Sequence, residues 1–371
     1  MAFFKFNNIR IAGIACTVPT NVVRTESYKP IFGDEEVDKF IKMTGVRSSH
    51  RTSEHQTCSD LGFTAASKLL EKKGIKAEEI GAVIFASHSP DYRRPSTAFI
   101  LQYRLGIPRE AVCYDISLGC SSLVNGIQCV ASMMQNSEDI SKALLFVGDT
   151  AGKSVNANDR SSAMLFGEAG AVMLFEKSNE PCNSINTLLR SDGSGFKYMI
   201  VPGGGFRFLH APESPVMCQD GNPRSLHNSF IQGTSVFTFT IFDVPRVIKD
   251  FWSKTNTTVD DYDCYAFHQA NLYILKQIAK KTKIPMEKLP ITLDRYGNTS
   301  GASAILSLCD KYGDCRENQT INVMTCGFGI GLSWGCSSFD INTDDILPIL
   351  EDDTVFTEGV FTDPNQLYSK I

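Results

Sequence analysis

No apolar run in the chain approaches the ~18 residues of a membrane-spanning helix. Twelve cysteines are present, but no two are spaced CxxC. That removes the commonest zinc and dithiol-redox patterns, and no metal site is expected. Cationic charge is in short supply: 36 Lys and Arg against 41 Asp and Glu leave a net charge of -5, which argues against sequence-independent binding of nucleic acid. The opening MAFFKFNNIRIAGIAC is short and strand-like, without the apolar core of a signal peptide. With no export signal in view, the expected compartment is a reducing cytoplasm. Several of them, such as Cys264 in DCYAF and Cys326 in VMTCG, read as small core residues.

What is present is a repeat. At 371 residues the length suits two domains, or one large domain made of two halves. EEIGAVIFA (78–86) matches DDYDCYAFH (260–268), and an amphipathic helix pattern precedes each. A shared Ile-Pro then opens IPREAVCYDISLGC from Ile107 and IPMEKLPITLDRYGN from Ile284. ALLFVGD (143–149) parallels INVMTCG (321–327), and AGAVMLF (169–175) parallels SWGCSSF (333–339). Strands alternating with helices imply right-handed crossovers and largely parallel sheets under helices. The expected fold class is α/β with two pseudo-symmetric halves, 1–180 and 181–340, followed by an acidic extension, 341–371.

The repeat makes Cys120 the mate of Asn298, each at a helix start, with His268 arriving from a neighbouring strand end. A cysteine in the first helical turn meets unpaired N–H groups and the positive end of the macrodipole, a setting that lowers a thiol's pKa. A thiolate attacks acyl carbonyls, and an imidazole aids its formation. Imidazole and carboxamide side by side would both donate to one carbonyl oxygen and so stabilise an enolate. Taken singly, His268 reads as a core histidine and Asn298 as a turn or N-cap; the combination turns the reading toward catalysis.

LGCSS, HQAN and DRYGNTSGAS resemble the three active-site motifs of ketoacyl-(acyl-carrier-protein) synthase III, in the thiolase-fold family of condensing enzymes. The resemblance extends through TGVRSSHR (44–51), NDRSSAMLFGEAGA (158–171), SDGSG (191–195), QGTSVF (232–237) and GFGIGLSWG (327–335), and spans about residues 8–340. It implies a five-layered αβαβα fold, a homodimer and a Cys120–His268–Asn298 triad. It further implies an oxyanion site from the backbone N–H groups of Cys120, Gly329 and Gly331, and a pantetheine tunnel lined by Asn271, Gly233 and Phe237. No permanently bound cofactor is implied; the substrates would be phosphopantetheine-linked, carried on acyl carrier protein or coenzyme A. Cys120 would take an acyl group from a thioester. His268 and Asn298 would then hold a malonyl thioester while it loses CO2, and the enolate would attack the acyl-cysteine.

Two departures bear on the substrate. The tryptophan that clamps the coenzyme A adenine in the family falls here at Lys39, leaving Arg160 as half a clamp, with neither Trp252 nor Trp334 placed to replace it. This favours a donor carried on a protein arm. The family's aromatic gate into the partner subunit's acyl pocket falls at Arg94, which would suit a polar or carboxylate-bearing acyl group if it lines that pocket. The extension carries acidic residues and by default reads as a solvated tail, but the interspersed apolar ones, Ile346 to Phe361, suggest that part of it packs on the body or on a partner. Lys276, Lys280, Lys281 and Lys283 follow HQAN as either a solvated face or a docking face for an acidic carrier protein. Two rivals stand beside condensation: transfer of the acyl group to an oxygen, nitrogen or non-malonyl carbon nucleophile, and a catalytically silent partner subunit.

Overall fold

The computed structural model describes residues 2–178 and 184–368. Cys182, Lys370 and the expected boundary between 180 and 181 lie outside the described residues. Two sheets dominate. The first has six strands in the order Leu350–Glu351, Ile9–Val18, Ala169–Lys177, Lys142–Asp149, Ile80–Ala86 and Val112–Ile116. The second has five, in the order Ala2–Phe6, Ile185–Ser191, Ser333–Asn342, Thr320–Gly329 and Cys264–Phe267.

The repeat is visible in the pairing. Ile80–Ala86 runs parallel to Lys142–Asp149, as Cys264–Phe267 does to Thr320–Gly329. Each long neighbour is then antiparallel to the next strand, Ala169–Lys177 or Ser333–Asn342. The halves also exchange edges: Ala2–Phe6 pairs with Ile185–Ser191, and Leu350–Glu351 pairs with Thr17 and Val18. One element breaks the symmetry. The counterpart of Val112–Ile116 in LPITLD is not a strand. Pro290 has no N–H to give a ladder, and the Gln269 side chain takes the place of a neighbouring strand. Its Nε2 donates to Pro290 O at 3.1 Å, and its Oε1 accepts from Thr292 N at 3.3 Å.

Helices complete five layers. Cys58–Lys73 and Thr97–Leu105 cover the outer face of the first sheet. Ser122–Asn136 and Ser303–Tyr312 lie between the sheets, and Gly233–Thr255 with Leu272–Thr282 covers the outer face of the second. Three apolar clusters follow from this layering. One is central, around Ile14, Ile127, Val147 and Ile305; the other two are outer, around Leu69 with Phe146 and around Phe251 with Phe267. Strand interiors are buried almost without interruption, as expected for sheets covered on both faces. Each such aliphatic side chain contributes roughly 1.5–3 kcal/mol. Cys264 and Cys326 are fully buried in these strands, as read from their apolar surroundings.

The apolar part of the extension does pack on the body: Ile346 and Leu347 are buried. Its acids are not simply solvated, because Asp345 pairs with Lys73, Asp352 bonds Thr64 and Asp353 bonds Thr20.

Candidate active site

The central helices and the strand ends bring the three chemical residues to one cavity. Cys120 sits in the turn after Val112–Ile116, just ahead of the helix Ser122–Asn136 rather than inside its first turn. His268 directly follows Cys264–Phe267, and its N–H continues the ladder to Cys326 O at 2.8 Å. Asn298 is pinned on both sides of its backbone by the 158–171 segment: its N–H donates to Leu165 O at 2.9 Å and its carbonyl accepts from Gly167 N at 3.0 Å. A side chain at Gly297, where φ is +66°, would approach Leu165 O to 2.9 Å; glycine is what lets the two chains lie this close.

Ser300 ties these residues together. Its hydroxyl lies 3.6 Å from Cys120 Sγ, its N–H donates to Asn298 Oδ1 at 2.9 Å, and its carbonyl faces His268 Nδ1 at 3.1 Å. Ser300 adopts a left-handed φ of +51° to do so. The same hydroxyl donates to the buried Asp149 carboxylate, whose other oxygen accepts from Ser87 and Ser89 side chains and from the His88 and Ser89 N–H groups. No motif in the sequence marks Ser300 or Asp149 as part of the site. The available signal was an acid ending the apolar strand ALLFVGD, opposite Gly327 in the repeat.

The electrostatics differ from the expectation for a helix-start thiol. Burial, the largest effect, pushes the Cys120 thiol up to about 12; the Ser300 hydrogen bond lowers it, and the nearby Asp149 charge raises it. The macrodipole does not prevail here, because Cys120 stands ahead of the helix and deep in a cavity. Burial also lowers His268 to about 4, so its imidazole is neutral. The proton on that neutral ring is assigned by its partners. Nδ1 faces a backbone carbonyl, which can only accept, and the Ser303 hydroxyl at 3.1 Å, itself donating to the same carbonyl at 2.6 Å. Nδ1 therefore carries the hydrogen and Nε2 presents a lone pair. With the hydrogen on Nδ1, the groups left for a ligand are a donor at Asn298 Nδ2 and an acceptor at His268 Nε2, which differs from the pair of donors expected from the sequence.

Gly329 closes the site from the other strand. A Cβ there would fall 2.7 Å from Cys120 Cβ and 3.2 Å from Sγ, so backbone alone can lie against the thiol. Cys120, His268, Asn298, Gly329 and Gly331 all line one cavity of about 1810 Å³. That exceeds the roughly 300–1,000 Å³ of an ordinary small-molecule pocket and leaves room for a long substrate arm.

Two stretches match family descriptions: residues 114–193 match 3-oxoacyl-(acyl-carrier-protein) synthase III, and residues 252–341 match its C-terminal part. The beta-ketoacyl-(acyl-carrier-protein) synthase III of Clostridium perfringens is 31% identical over 331 residues, covering 89% of this chain and 98% of that one. The chain belongs to the 3-oxoacyl-(acyl-carrier-protein) synthase III family. The Streptococcus suis member is 32% identical over 334 residues, again covering 89% of this chain and 98% of its own. A solved 3-oxoacyl-(acyl-carrier protein) synthase from Burkholderia xenovorans superposes with a TM-score of 0.88 at 33% identity, covering 95% of this chain and 99% of that one. The priming beta-ketosynthase of the R1128 polyketide pathway shares the fold, with a TM-score of 0.79 at 21% identity over 92% of this chain and 97% of its own.

The other residues that the synthase III resemblance pointed to divide. Asn271, Gly233, Phe237 and Arg160 line the cavity. Asn271 caps the helix Leu272–Thr282 through Oδ1, which accepts from Ile274 N at 2.8 Å, leaving Nδ2 as its group for a ligand. Phe237 stacks on Tyr273 at 5.6 Å. A Cβ on Gly233 would meet nothing within 4 Å, so no steric need for glycine exists there. Arg160 is held by Glu36 at 3.0 Å, one helical turn before Lys39, and Lys39 lines the cavity too. Trp252 and Trp334 do not line it. Arg94 is exposed and stands off the lining of its own chain's cavity; the buried-charge argument for it has no support within one chain.

Proposed function

We propose that the chain carries out decarboxylative condensation: acyl transfer to Cys120, then Claisen attack by the enolate of a malonyl thioester. The observation that carries this reading is the convergence of thiol, neutral imidazole and carboxamide on one cavity, each tied to Ser300. In the first half, His268 Nε2 accepts the thiol proton as sulfur attacks the donor thioester. The proton then passes to the departing pantetheine thiolate. This base is needed because a thiol pushed up to about 12 ionises little on its own at neutral pH. In the second half, Asn298 Nδ2 donates to the thioester carbonyl of the malonyl group. The C–C bond to the carboxylate breaks and its electron pair moves into the enolate as CO2 leaves. The enolate carbon attacks the acyl-cysteine carbonyl, the C–S bond breaks, the departing Cys120 thiolate takes up a proton from solvent, and the products are a 3-oxoacyl thioester and the free Cys120 thiol. Backbone N–H groups at Cys120, Gly329 and Gly331 would hold the tetrahedral oxyanion, each such donor being worth roughly 10²–10³-fold in rate.

Pantetheine is the arm that suits the cavity end formed by Gly233, Phe237 and Asn271. Lys276, Lys280, Lys281 and Lys283 are exposed on and just after the helix that begins at this mouth, and so offer a basic face to an acidic carrier protein. A homodimer follows from the family resemblance, with the Arg94 loop directed to the partner. Among the described residues no helix is long and apolar enough to cross a membrane. Intact-protein mass spectrometry after exposure to acyl-carrier and acyl-coenzyme A panels tests the reading: an acyl mass on wild type and none on Cys120→Ala supports it, and no acyl mass from any donor overturns it.

A further inference from the structure

The extension beyond residue 341 lies outside both stretches that match the family, yet it reaches the cavity. Phe356, Gly359, Val360 and Phe361 line the same space as Cys120. They do so beside Pro90 and Tyr92, in the loop after Ile80–Ala86, and beside Asp60 in the helix Cys58–Lys73. The arm-binding residues Gly233, Phe237 and Asn271 come from a different part of the chain, the helices of the second half.

The extension is firmly seated. Leu350–Glu351 adds a strand to the first sheet, and Phe356 N donates to Asp60 Oδ1 at 3.1 Å. That carboxylate is buried with Arg104 at 2.8 Å, and the Arg104 guanidinium stands 4.6 Å from the Phe356 ring. Tyr92 donates its hydroxyl to Gly359 O and packs against Phe361 with ring centroids 6.2 Å apart. A Cβ on Gly359 would come within 2.8 Å of Phe356 and 2.9 Å of the Tyr92 hydroxyl, which fixes the extension's close approach at that point.

We propose that residues Phe356 to Phe361 form the wall against which the end of the acyl group packs, so that the extension selects the acyl group carried by Cys120. This inference rests on the acyl-cysteine reading above. The wall is apolar, formed by Phe356, Val360, Phe361 and Tyr92. The charges near it do not call for an anion: Asp60 is spent on Arg104, Asp91 accepts from Ser59 at 2.7 Å, and the Lys153 ammonium already donates to the Glu54 and Gln56 carbonyls at 2.8 and 2.6 Å. The acyl class that fits is an uncharged alkanoyl or branched alkanoyl group.

The test uses the full chain with an equimolar mixture of pantetheine thioesters, from acetyl to dodecanoyl with succinyl included, and reads the mass distribution on Cys120. Val360→Phe fills the wall and Phe361→Ala recedes it; both positions lie past the Asp60 anchor, so the fold is retained. The expected result is little succinyl uptake, with Val360→Phe moving the preferred acyl group to shorter chains and Phe361→Ala to longer ones. Each shift should change the ratio of neighbouring chains by about tenfold, as one or two methylenes do in a hydrophobic pocket. Acylation with an unchanged distribution in both variants, or succinyl as the preferred group, overturns the wall and leaves the acyl-cysteine reading standing. Absence of any acyl mass on wild type overturns both.

Discussion

The Ser300 hydroxyl donates to Asp149 Oδ2 at 2.5 Å while lying 3.6 Å from the Cys120 sulfur. A buried carboxylate is thus placed one hydroxyl away from the nucleophile, where its charge opposes ionisation of the thiol. Asp149→Asn removes the charge and keeps acceptors for the Ser87 and Ser89 donors. The thiol should become more acidic, and alkylation of Cys120 by iodoacetamide at pH 8 should accelerate by at least about threefold, half a unit of pKa or more. In wild type the alkylation rate should climb from pH 7 to pH 10 without a plateau. A plateau near neutral pH, or an unchanged rate in the variant, would contradict this view of the thiol.

Ser300→Ala leaves the Asp149 oxygen without its donor in a buried site. Loss of that bond should cost about 1–3 kcal/mol in urea unfolding. The double variant with Asp149→Asn should lose less than the two single losses combined, because the residues share one interaction. Additive losses would mean that the two are not energetically linked.

Much of this arrangement could be read from residues alone, and the reason is periodic. Paired strands such as Ile80–Ala86 and Cys264–Phe267 keep the same apolar pattern because both are buried between helices, and their ends must converge. That convergence placed Cys120, His268 and Asn298 together. Three things escaped because they depend on through-space geometry rather than pattern. The thiol's acidity is set by the depth of the cavity, not by its distance from a helix start. The tautomer of His268 is set by the Ser300 carbonyl, which no motif displays. That the apolar residues from Phe356 to Phe361 line the cavity is not legible in the sequence, because their anchors, Asp60 and Arg104, are far away along the chain.

His268 titrates near 4 because burial disfavours its charged form. As pH falls from about 6.5 to about 4 the unfolded chain binds a proton that the folded chain does not. Stability is therefore lost across that window, by about 3 kcal/mol at most, and is fully present above it. His268→Gln removes this dependence. The unfolding free energies of wild type and variant from urea titration should converge by most of this amount between pH 7 and pH 4.5. Parallel pH profiles for the two proteins would contradict a buried, neutral imidazole.

Gly329→Ala puts a methyl group 2.7 Å from Cys120 Cβ, a separation that neither backbone can relieve cheaply. Acyl transfer should fall by about 10²-fold or more, since a misplaced nucleophile of ~1 Å costs that much, while thermal unfolding shifts by only a few degrees. Acylation at the wild-type rate would show that backbone proximity at Gly329 is not required.

In the proposed reaction the acyl group on Cys120 ends on the enolate carbon of a decarboxylated malonyl thioester. Pre-acylated enzyme mixed with a malonyl-carrier thioester tests it directly, with the mass at Cys120 and the released CO2 followed together. The predicted result is loss of the acyl mass with one CO2 per acyl group and appearance of a 3-oxoacyl carrier, with the mass loss and the CO2 both suppressed in pre-acylated Asn298→Ala. Transfer of the acyl group to an alcohol, an amine or another carbon without CO2 would contradict it.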